Sequence, residues 1–156
     1  MIREFDRLSN SEQELMQKCP ILICILIAGA DHEIDNREIK GSIELAKRKY
    51  KKFNDSSLKT FYLDMSEDFE DKLKVVIQSY PSDPKKRNSI ISEELGSINS
   101  IWPKLDRKFA MEFYKSIKDI AMHTAESSGG LLGMNKIGDE EAALVKLPMI
   151  KDPANL

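Results

Sequence analysis

Cysteine, tryptophan and histidine are scarce in this chain: two, one and two residues among 156. Cys19 and Cys24 sit in one apolar run at a spacing that suits a disulfide badly if the run is helical, and no further cysteine is present to complete a thiolate metal site. The pair reads as buried, reduced thiols. His32 and His123 come with no Ser-His-Asp, Cys-His or zinc spacing, so nothing supports nucleophilic or zinc chemistry. Asn-Gly and Asp-Gly, the strongest hairpin signals, do not occur. The longest apolar run, Cys19 to Ala30, is about half the roughly 20 residues that a membrane span needs. The first residues, MIREFDRLSNSEQ, are polar and mixed in charge, unlike a signal peptide, and a cytoplasmic location is expected. Net charge is only −2, which argues against an electrostatic nucleic-acid or membrane binder.

What is present is helical punctuation. The composition, 41% hydrophobic and 32% charged, belongs to a folded chain that buries a core. Caps and apolar spacings predict an all-α fold of seven or eight helices, one domain over residues 1–150, with 151–156 as a tail. Pro81-Ser82-Asp83-Pro84 is the clearest break and divides the chain into halves, 1–82 and 83–150. Ser11 reads as the start of a short first helix, and Pro20 as the first residue of a second, nearly all-apolar helix reaching about Ala30. Asp35 and Glu38 form the start of the next, whose buried stripe is Ile39, Ile43, Ala46 and Tyr50. A short helix through Leu63 follows, and Ser66 opens another bearing Phe69, Leu73, Val76, Ile77 and Tyr80. Asp83 caps a helix carrying Ile90, Ile91, Leu95, Ile98 and Ile101. Pro103 starts the longest helix, with Phe109, Phe113, Ile117, Ile120 and Ala121 inside. A last helix runs from Asp139 to about Met149, frayed by Pro148 and Pro153.

The stretch ILICILIAGADHEIDNREI stands out, because a buried helix delivers Asp31, Glu33, Asp35 and Glu38 to one short connection. A related arrangement recurs near the C-terminus. Ile25…Ala30-Asp31 aligns with Ile120…Ala125-Glu126, and Ile34-Asp35…Glu38 with Ile137-Gly138…Glu141, after an eight-residue insertion. Carboxylates at helix N-termini cap free amides and oppose the dipole, which accounts for Asp35, Glu38, Asp139 and Glu141 individually. Together, Asp31, Glu33, Asp35 and Glu38, with Glu126, Asp139, Glu140 and Glu141 from the second copy, form a candidate ligand set for calcium or magnesium, hard cations that take oxygen donors. His32 can add a nitrogen, although a lone loop histidine is ordinarily solvated. An EF-hand is not the geometry: Asn36 replaces the required glycine, and Ser42 stands where a bidentate Glu is needed.

The segment IAGADHEIDNREI resembles the signature of TerB-like domains, the tellurite-resistance TerB family, in Asp31, Ile34, Asp35 and Glu38, with His32 where glycine is usual. AESSGGLLGMNKIGDEE resembles the second motif of that fold, with Gly138 where a polar cap is common. The resemblance implies an all-α fold of two pseudo-symmetric four-helix halves, an acidic metal-associated surface, and a link to tellurite or metal stress. It brings no catalytic residues.

Other features read more plainly. The basic run AKRKYKK, with Lys85-Lys86-Arg87, can meet phosphates, but charge at a helix end is usually solvated and suits the dipole. The loop SSGGLLGMNKIG matches neither G-x-G-x-x-G nor a P-loop. Its glycines suit a helix end, and its apolar residues suit a core cap or a small patch for a partner. The expectation is a non-catalytic helical binding module whose acidic loops take a divalent cation or a partner, either another protein or a second copy of the chain. The alternative is a metal-dependent hydrolase using the same carboxylates.

Overall fold

Twelve residues between Leu15 and Ala28 are buried, and they make helix α1 (Asn10–Ala28) the axis of the molecule. The computed structural model describes residues 2–29, 36–51, 57–129 and 139–156, with backbone only for residues 51, 128, 129 and 139–141. The expected short first helix and the apolar second one are a single helix with Pro20 inside it. A proline there removes one hydrogen bond and crowds the preceding turn, at about 3 kcal/mol. The buried side chains on either side of it, at about 1.5–3 kcal/mol each, offset that cost. The helix starts at Asn10, one residue earlier than the sequence reading has it. Ser9, not Ser11, is the cap: its hydroxyl accepts from the Glu12 N–H at 3.2 Å while the Glu12 carboxylate accepts from the Ser9 N–H at 2.9 Å.

Helix α2 (Asn36–Lys51) buries Ile39, Ile43, Ala46 and Tyr50, the stripe its spacing predicts. Helices α3 (Ser57–Ser66) and α4 (Phe69–Gln78) follow. Ser66 ends α3 instead of opening α4, because its hydroxyl donates to the Leu63 carbonyl at 2.8 Å. The break itself is Asp68, whose φ of 53° is left-handed. Helix α5 (Pro84–Gly96) is capped by Asp83, whose carboxylate accepts from the Lys86 N–H at 3.0 Å. Its buried row is Arg87, Ile91 and Leu95; Ile90 lies off that row and is 43% exposed, against expectation.

Trp102 and Pro103 lie in a 3-10 turn (Trp102–Lys104), and the longest helix, α6 (Arg107–Gly129), begins only after Asp106. The Asp106 carboxylate accepts from the Phe109 N–H at 3.1 Å and caps the helix, which the sequence reading starts at Pro103. Helix α7 (Asp139–Val145) is shorter than the expected span from Asp139 to about Met149. The segment after it packs instead of fraying. Leu147 takes a φ of 50° and is fully buried, and Ile150 and Pro153 are buried too.

The described residues hold seven α-helices and no strand, so the fold is all-α as expected. No described helix is long and apolar enough to cross a membrane. The helices of the two sequence motifs, α1, α2, α6 and α7, form one packed group, with α3 against α2 and α6, and α5 against α1.

Candidate functional site

Helix directions follow from four contacts. The Lys104 ammonium meets Glu12 at 2.8 Å, and Thr124 meets Cys24 at 3.6 Å, so α1 and α6 run parallel. Ser42 lies 2.9 Å from Thr124, and Lys49 pairs with Asp119, so α2 runs antiparallel to both. Past α7 the chain is held in turn at the carbonyls of Met149, Lys151 and Ala154 by Asn99, Trp102 and Arg107, which leads it toward the start of α6. Helix α7 packs on α1 and α6. The C-terminal ends of α1 and α6 and the N-terminal end of α2 share one end of the bundle. They flank the first acidic motif on both sides and the second where it leaves α6.

The register there is set by small buried hydroxyls. Ser42 and Thr124 are fully buried, and the carbonyls of Glu38 and Ile120 accept from them at 3.1 and 2.8 Å. Each hydroxyl is satisfied without a charge, which tolerates close helix approach.

Arg87 is the residue that sequence reasoning missed. Read as part of a solvated basic run, it points inward from α5, is 7% exposed, and donates from Nη2 to the Gly29 carbonyl at 2.7 Å. Among the described residues its Nε has no hydrogen-bond partner. Burial pulls its pKa down from the usual value, and the nearby Asp83 works in the opposite direction. The guanidinium suits the negative end of the α1 dipole. A signal was present in the sequence: Arg87 precedes Ile91 and Leu95 at helical spacing, in the row that faces the core.

The candidate ligands fall into three groups. Asp31, Glu33 and Asp35, with His32, lie outside the described residues. Glu38 is half-buried in the first turn of α2, and Glu126 is exposed near the end of α6. Asp139, Glu140 and Glu141 are the first residues of α7, with their side chains outside the described set. Among the described residues, no three His, Cys, Asp or Glu side chains come together as metal ligands.

Cys19 and Cys24 are free and buried, as the spacing predicts. Burial pushes the Cys24 thiol up to about 12, opposed by hydrogen bonds with Thr124 and Ser42, and pushes Cys19 higher still. Neither is a nucleophile near neutral pH. His123 is half-buried in α6. In the basic run, Lys49 is engaged by Asp119 and lies over the Tyr50 ring at 5.7 Å.

No protein-family model, no curated protein and no solved structure matches the chain.

Proposed function

We propose that this chain is a non-catalytic helical binding module, TerB-like in plan, whose acidic motifs bind a divalent cation of the calcium or magnesium type. The observation that supports this reading is the gathering, at one end of the bundle, of the C-terminal ends of α1 and α6 and the N-terminal end of α2. On this reading the two acidic stretches, remote in sequence, contribute to one electrostatic surface.

Carboxylate oxygens meet the demand of a hard cation, and helix N-termini keep excess negative charge stable when no cation is bound. The Gly29 carbonyl is taken by Arg87, so donors would come from the acidic side chains beyond it. The resemblance extends this to a role in tellurite or metal stress within the cytoplasm. A basic protein surface is the other partner that such a patch suits.

Thermal melts with calcium, magnesium, manganese and zinc, on wild type and on Asp31→Ala/Asp35→Ala, test the reading. Ligand at 100 times its Kd stabilises the native state by about 2.7 kcal/mol, a rise in Tm of roughly 5–10 °C for a domain of this size. The double variant should lose that rise. A wild-type melt unmoved by all four ions overturns cation binding.

A further inference from the structure

A cavity of about 570 Å³ opens on the flank of the bundle, beside Glu14 to Ile21 of α1. It is lined by the N-terminal segment, α1, α3 and α4, and it is open to solvent. Its size falls in the range of roughly 300–1,000 Å³ typical of small-molecule sites. The floor is Phe5, Ile21, Phe61 and Met65, all buried in the protein yet bordering the cavity. Val75 at the rim is 63% exposed, a large apolar side chain left uncovered beside an apolar floor.

The charges at the mouth are unbalanced. Glu14, Asp64 and Asp71 are exposed there, and among the described residues none of the three carboxylates has an ion-pair or hydrogen-bond partner. Of the two lysines at the mouth, Lys18 is neutralised by Glu94 at 2.9 Å and lies over the Tyr80 ring, while the Lys72 ammonium donates to the neutral backbone carbonyl of Asp64 and keeps its charge. Three carboxylates against one uncompensated ammonium leave the mouth net negative, so the head of an amphiphile whose tail lies on the floor meets a field that attracts a cation and repels an anion.

We infer that this cavity binds a small cationic amphiphile, its tail on Ile21, Phe61 and Met65 and its ammonium or amidinium head at Glu14, Asp64 and Asp71. The site is independent of the acidic end of the bundle.

The test uses the full chain and three probes of equal tail length: dodecyltrimethylammonium, dodecyl maltoside and dodecanoate, each below its micelle concentration, titrated by calorimetry. The ammonium probe should bind saturably and about tenfold tighter than dodecanoate, since a few exposed charge pairs are each worth a fraction of a decade to most of one. Glu14→Gln/Asp71→Asn, at exposed positions, should abolish the preference for the cation while leaving tail binding. Val76→Trp, which fills the cavity wall, should abolish binding of all three probes, with circular dichroism reporting that it folds. Asp31→Ala/Asp35→Ala should bind the ammonium probe as wild type does, which separates this site from the acidic end. The inference is overturned if no probe saturates, if ammonium and carboxylate bind wild type equally, or if the charge-removing pair leaves the preference intact. Loss of the ammonium probe in Asp31→Ala/Asp35→Ala overturns it as well.

Discussion

Arg87 and Gly29 are two residues whose identities depend on one another. The Gly29 carbonyl accepts from the guanidinium at 2.7 Å, and a Cβ on residue 29 would stand 2.4 Å from Nη2 and 2.8 Å from the Ile25 carbonyl. Gly29→Ala should therefore destabilise by about 1–3 kcal/mol, the usual scale for overpacking a tight site, read as a lower urea midpoint. In an Arg87→Ala background the same change should cost less, because the nearer clash is gone. Equal costs in the two backgrounds would show that the contact with the guanidinium is not the cause. The glycine is legible in the sequence as a helix end. Its partner is not, because Arg87 lies 58 residues away on another helix.

At the scale of elements, the C-terminal segment is where local signals and packing part company. Pro148 and Pro153 speak against helix, and a proline-bounded end reads as a frayed tail. Packing overrides this: Leu147, Ile150 and Pro153 are buried, and the Trp102 indole donates to the Lys151 carbonyl at 2.9 Å. Truncation after Lys146 should cost several kcal/mol, since each buried apolar side chain contributes about 1.5–3 kcal/mol. A tail would leave the urea midpoint unchanged, so the experiment separates the two descriptions. Pro20 teaches the same lesson from inside a helix. Its ring speaks locally for a boundary, yet α1 continues through it because its neighbours on both sides are buried. Asp83 and the stripe of α2 were readable, because a cap and a 3.6-residue period are local properties of the chain.

For the molecule as a whole, burial of neutral acids sets the response to alkali. The thiol of Cys24 is raised from 9.0 to about 12, and Tyr50 and Tyr80 from 10.0 to about 12, in each case chiefly by burial. The unfolded chain sheds these protons first as pH rises. Their stabilisation is therefore complete below pH 9.0 and is lost progressively toward pH 12. The urea midpoint should fall steadily across that window; a midpoint that holds or rises would contradict the assignment. The acidic motifs belong to this scale too. Their composition was visible in the chain, but only helix direction brings their flanking ends together.

The sequence by itself determined that this is an all-α protein, where most of its helices lie, and which faces of α2 and α6 turn inward. Those properties arise from capping and periodicity, which act over a few residues. Tertiary structure alone decided that α1 runs unbroken through Pro20, that Arg87 reaches the Gly29 carbonyl, and that the C-terminus docks. It also decided that α1 and α6 run parallel with α2 antiparallel to them, so that three motif-flanking helix ends meet, and that a cavity is left beside α1. Each of these depends on which surfaces meet across long separations in the chain, a matter of shape and burial that local spacing does not specify.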